Sequence, residues 1–195
     1  MQLNYFDYYV IGINVIGFLV FLVNHLLYTF TDELQIDIVV TIVSIIGGSA
    51  GIILAMLLFS RAAVKANMMS RVFVACVFVI QFVIFLIVKG HIKNEITLDF
   101  LSFFERHKPI LVYLVVINFI TVIAFGLDKI AALEDKTRIR IVTLLGLAFI
   151  GGSIGGLIAM FVFRHKIRKD YFMVGVPLII VMQIVVFFYL MNIKL

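Results

Sequence analysis

Six stretches of the chain contain no Asp, Glu, Lys or Arg: residues 8–31, 38–60, 72–88, 110–127, 141–163 and 171–193. An α-helix rises about 1.5 Å per residue, so about 20 apolar residues cross a hydrocarbon core of about 30 Å. Each run meets that length, the third and fourth only just. Their Val, Ile and Phe would suit strands in water, but in lipid every backbone group must be paired internally. That leaves helices or a closed barrel, and the runs lack the alternation a barrel needs. The pattern predicts an all-α integral membrane protein with six transmembrane helices. Pro109 opens the fourth run, where a missing N–H costs nothing. Pro177 predicts a bend early in the sixth. No positive charge precedes the first run, which therefore reads as a retained span rather than a cleaved leader.

A repeat lies over this pattern. At a constant offset of 104 residues Asn14 meets Asn118, Phe21 meets Phe125, and Gly47-Gly48-Ser49 meets Gly151-Gly152-Ser153. Gly51 then meets Gly155, Ala55 meets Ala159, Met56 meets Met160, Phe59 meets Phe163 and Lys65 meets Lys169. The chain divides into two three-helix repeats, 1–90 and 108–195, joined by 91–107. In that linker Ile96, Phe100 and Phe104 recur every fourth residue, the spacing of a plain amphipathic connection or of a short interfacial helix.

Three crossings per repeat would set the second copy upside down, an inverted arrangement shared with many secondary transporters. Alternate loops then hold eight basic residues each, and the positive-inside rule assigns no orientation. The alternative makes the second and fifth runs re-entrant hairpins broken at their Gly-Gly pairs. Eleven basic residues would then oppose five. Runs of this length cross as straight helices by default, so six spans in inverted repeats are the expectation.

Gly47 and Gly51, like Gly151 and Gly155, are spaced by four and line one helix face, with Gly152 and Gly156 forming a second groove. Such small-residue grooves let helices pack closely in lipid. Asn118, Phe125 and Lys129 share one line of a helix. Asn14, Asn118 and Gln183 at membrane depth read either as interhelical hydrogen-bonding residues or as polar contacts of a cavity.

The copies differ in charge. The later one carries Asp128-Lys129 where the earlier has Asn24-His25, and Arg164-His165-Lys166-Ile167-Arg168-Lys169 where the earlier has only Arg61 and Lys65. That contrast suggests a chemical half and a degenerate scaffold half. Arg164, His165, Lys166 and Lys169 suit a lipid phosphate or another anion, although such clusters also anchor helices by snorkelling. Asp128 either serves chemistry or pairs with a neighbouring cation.

Composition narrows the function classes. The 195 residues are 64% hydrophobic and 14% charged, with a mean hydropathy of +1.22, too few charges for a water-soluble enzyme domain. The net charge of +5 sits in short clusters between apolar runs, which speaks against nucleic acid as a partner. The lone Cys76 excludes an intramolecular disulfide or a cysteine-based zinc site. No cofactor motif is present. Only His91 with Glu95 has helical ligand spacing, and two ligands do not make a metal site.

The later half resembles a bacterial membrane family called domain of unknown function twelve ninety-four. The matching pieces are Asn118, Phe125, Asp128-Lys129, Ala131, Arg138-Ile139, Gly151-Gly152-x-x-Gly155, Met160, Phe163-Arg164-His165-Lys166, Lys169, Phe172, Pro177 and Gln183. Members look like single short domains, so a tandem duplicate is a departure. The resemblance implies a protein of the bacterial cytoplasmic (inner) membrane and assigns no reaction. The leading expectation is binding or transport of an anionic lipid or small anionic solute at Arg164, His165, Lys166 and Lys169. The alternatives are an enzyme acting on a headgroup through His165 or Asp128, and a non-catalytic subunit packing against a second copy or another membrane protein. Six straight spans would hold Asp128 and His165 about 30 Å apart, on opposite faces.

Overall fold

The computed structural model describes residues 4–31, 37–60, 67–92 and 96–193. Arg61, Lys65, Lys93, Glu95 and Lys194 lie outside the described residues. Six helical segments are long and apolar enough to cross a membrane, by length and composition, which makes this a multi-pass, all-helical membrane protein. The chain forms two compact units, Met1–Phe82 and Val83–Leu195.

In the first unit α1 (Tyr5–Thr31) is followed by α2 (Asp37–Val43), a wide five-residue turn (Ser44–Gly48) and α3 (Ser49–Phe59). Helix α4 (Met68–Val88) completes it and runs past the unit boundary. Gly47 has φ 136°, a conformation that side chains with a Cβ avoid, and there the helical path breaks. Val40 of α2 and both Ile52 and Met56 of α3 belong to one buried cluster, flanked by Val20 and Phe21 of α1. Residues on either side of the break thus reach the same stretch of α1.

In the second unit the elements follow a similar order. Helix α5 (Phe100–Arg106) leads into α6 (Lys108–Leu133), with His107 between them. Then come α7 (Ile141–Leu147), a wide turn (Ala148–Gly152) broken at Gly151 with φ 133°, and α8 (Ser153–Val162). The sixth apolar run is α9 (Asp170–Met173) and α10 (Gly175–Asn192), interrupted at Val174 three residues before Pro177, whose ring nitrogen cannot donate to Met173.

Here the expectation of a straight fifth span is corrected. The Ile139 N–H, just before α7, donates to Asp128 of α6, and His165, just after α8, meets the same carboxylate. Both ends of the segment therefore lie at one level of α6. Between them, Gly151 packs on Tyr113, Leu114 and Ile117, Gly155 on Asn118, and the Phe163 ring on Gly126. The path runs back along α6 and then forward again, which is a re-entrant hairpin. The separation of about 30 Å between Asp128 and His165 becomes 2.7 Å. Length and hydropathy set the straight-span expectation, and the positive φ at Gly151 defeats it.

A broken helix in lipid must have its freed backbone groups satisfied. The Tyr113 hydroxyl donates to Ile150 O, Asn118 Nδ2 to Gly151 O, and Gln183 Nε2 to Ala148 O and Phe149 O. Asn118 Oδ1 accepts from the Gly155 N–H, and Ser153 Oγ donates to Gln183 Oε1. The first unit does the same with Tyr9 on Ile46 O, Gln81 on Ser44 O and Ile45 O, Asn14 on the Gly51 N–H, and Ser49 on Gln81.

Candidate functional site

The carboxylate of Asp128 lies one turn before the end of α6 and has no exposure to solvent. Its Oδ1 accepts the Ile139 N–H at 2.9 Å. Its Oδ2 lies 2.7 Å from His165 Nε2 and 2.7 Å from Lys166 Nζ. A carboxylate only accepts, so His165 Nε2 carries a proton and Nδ1 is the ring nitrogen left over. One fully buried acid thus joins the chain before the hairpin to the chain after it.

Backbone geometry delivers His165 and Lys166. Helix α8 ends with the His165 N–H on Met160 O and the Arg164 N–H on Phe161 O, a Schellman-type stop. Such stops favour glycine in the left-handed position, yet Arg164 holds it at φ 44°, and Lys166 is also left-handed at φ 64°. Non-glycine residues there cost about 1–2 kcal/mol each. Strain of this kind persists where surrounding contacts over-determine it. Below the loop, Phe125 and Phe172 are wholly buried and meet edge to face, and Lys166 Nζ sits 4.9 Å above the Phe172 ring. Burial pushes the Lys166 ammonium below its ordinary value, opposed by the adjacent Asp128 carboxylate and helped slightly by Arg138.

Around this buried core lies a cationic rim. Arg138 and Arg140 flank Ile139, and Arg164, Arg168 and Lys169 flank the His165-Lys166 pair; all five are exposed and none has an acidic partner among the described residues. Lys129 is half-buried on the last turns of α6, next to Asp128 in sequence.

The other residues singled out by sequence fall elsewhere. Asn14, Asn118 and Gln183 sit at the hairpin tips, where their side chains bond backbone groups and Ser153. Gly47, Gly51, Gly151, Gly152 and Gly155 face α1 or α6 so closely that a Cβ on Gly51 or Gly155 would overlap the carbonyl of Asn14 or Asn118; Gly156 lies against Phe125. None of these residues reaches Asp128.

Sequence reading missed three members of the tip set: Gln81 and the tyrosines Tyr9 and Tyr113. The tyrosines obey the offset of 104, whereas Gln81 pairs with Gln183 at 102, and a search without gaps passes over it. It also missed Arg71, which holds the Ser60 carbonyl and hydroxyl at the end of α3. Among the described residues of the first copy, this Arg71 contact is the one seen at the end of α3.

Comparison with known proteins agrees with the residues at this site. No solved structure matches the chain. The model of the family described as "Protein of unknown function (DUF1294)" matches residues 118–172, from the Asn118 tip contact to Phe172 beneath Lys166. "Uncharacterized protein YsdA" of Bacillus subtilis (strain 168) is 38% identical over 71 residues, which make up 36% of this chain and 80% of that protein. With four-fifths of that relative covered, and the matched segment spanning the clasp, the hairpin and its tip, the chain belongs to the DUF1294 family.

Proposed function

We propose that the second copy binds an anionic group, carried by a lipid headgroup or a small solute, at the mouth of its re-entrant hairpin. The observation that carries this is the pairing of a buried, ion-paired core with an exposed rim. Asp128 pairs with Lys166 and accepts from His165, while Arg138, Arg140, Arg164, Arg168 and Lys169 keep their charge for a ligand. Arginine forks match phosphate and carboxylate oxygens in bidentate fashion. Transport loses its argument, because the inverted arrangement requires three crossings per repeat, and a hairpin leaves two.

The hairpin reading places both flanks of the fifth apolar run on one side of the membrane. Eleven basic residues then oppose five, and the positive-inside rule assigns the mouth to the cytoplasm. Cysteines introduced at Thr137 and Ile167, in a chain with Cys76 replaced by serine, are expected to react with an impermeant maleimide from the same, cytoplasmic side. Labelling from opposite sides sinks the hairpin topology and the site with it.

Binding is tested on detergent-purified protein by native mass spectrometry with phosphatidylglycerol and phosphatidylcholine, and with inorganic phosphate as competitor. Phosphatidylglycerol is expected to be retained in preference. The pair Arg140→Glu and Arg164→Glu is expected to weaken that retention at least about tenfold, the loss of one charge-assisted bond of about 1.5 kcal/mol. Competition by phosphate identifies the anion as sufficient, and its failure identifies the lipid. Equal retention of both lipids, or no effect of the double variant, refutes the site.

A second reading draws on the bond of 2.7 Å between His165 and Asp128, the arrangement that orients an imidazole for proton transfer. It predicts a new lipid product in the same incubations that disappears with His165→Ala while retention persists.

A further inference from the structure

At the far end of α10 from the hairpin mouth, residues 96–107 fold back across the helix ends. Asn192, fully buried, accepts the Thr97 N–H at 2.7 Å and donates to Thr97 O at 3.0 Å, and Ile92 bridges Ile193. Phe104 packs on Phe187 with centroids 5.9 Å apart, five residues deeper along α10. Asp99 caps α5, its carboxyl held below the ordinary range by the Ser102 hydroxyl and N–H. His107 ends α5 and starts α6. The segment is therefore fixed in depth by two helices read as membrane spans, at the level of residues 187–192.

Its outward side is apolar at that depth. Ile96 is 62% exposed, Leu98 67% and Leu101 79%, while Phe103 is buried against Phe104 and His107. Glu105, Arg106, His107 and Lys108 follow and are all exposed, a polar edge with two basic residues and one acid. Apolar side chains with basic residues at their edge, held at the end of a span, match the boundary between acyl chains and headgroups. We propose that residues 96–107 form an interfacial strap whose Ile96, Leu98 and Leu101 insert into the leaflet opposite the hairpin mouth, with Arg106 and Lys108 at the headgroup phosphates. The partner is the lipid surface itself.

The chain contains no tryptophan, so a single one reports without background. Leu101→Trp and, separately, Leu98→Trp are placed in vesicles of phosphatidylcholine and phosphatidylglycerol, some of whose acyl chains carry bromine at shallow or deep positions. Both side chains are exposed, so the fold tolerates the larger ring, as circular dichroism checks. The expected result is blue-shifted emission, strong quenching by shallow bromine, weak quenching by deep bromine, and shielding from aqueous iodide. That corresponds to a depth of about 5–10 Å. Adding Asn192→Ala to Leu101→Trp is expected to raise iodide quenching and lower bromine quenching together. Emission typical of water with full iodide access overturns the strap. So does shielding from both quenchers, which would mean a protein cover such as a second copy.

Discussion

Replacing Asp128 by alanine is expected to destabilise the second unit by about 3–5 kcal/mol, the cost of leaving a buried cation without its counter-charge. Lys166 has 14% of its side chain exposed and His165 15%, so neither can be rehydrated while the loop keeps its shape. The Ile139 N–H would lose its acceptor as well. The size of the effect is measured by unfolding in mixed micelles followed by far-ultraviolet circular dichroism. Removing the stranded charge should recover part of the loss: Asp128→Ala with Lys166→Met is expected to be more stable than Asp128→Ala alone by more than about 1 kcal/mol. Groups in direct contact show such non-additivity. A loss below about 1 kcal/mol for the single variant would mean that the carboxylate does not hold the hairpin mouth.

The second large effect is expected at Gly155→Val. A Cβ there overlaps the Asn118 carbonyl, which belongs to the backbone of α6 and cannot swing aside. Overpacking against a rigid neighbour costs about 3 kcal/mol or more, and here it would also separate Asn118 Oδ1 from the Gly155 N–H. Gly146→Ala on the other leg of the hairpin is the control. Nothing lies within 4 Å of its Cβ, so the change should be neutral or stabilise α7 by up to about 1 kcal/mol. The same unfolding measurement reads both. Similar values for the two glycines would show that the contact between α8 and α6 is not close.

The helical class and the six apolar segments were legible because each depends on patterns local in sequence. Hydropathy reports burial in lipid but not direction, so segment 141–163 looked the same whether it crossed or returned. What decides direction is one glycine at φ 133° and a set of tip contacts from Tyr113, Asn118 and Gln183, residues distant from it in sequence. The charge asymmetry of the hairpin alternative pointed the same way as the fold-back, and was outweighed by a length rule that assumes unbroken helices. At the site, Arg164, His165, Lys166 and Asp128 were all visible as residue types. The meeting of Asp128 with His165 and Lys166 was not, because a contact spanning 37 residues follows from the fold-back alone.

The break at Gly151 has one more effect. From Ile139 to Gly151 the chain descends 12 residues, about 18 Å of helix, in a hydrocarbon layer of about 30 Å. In the second unit α6 and α10 therefore continue past the Gly151 turn without α7 and α8 between them, and at that end residues 96–107 close over their ends instead.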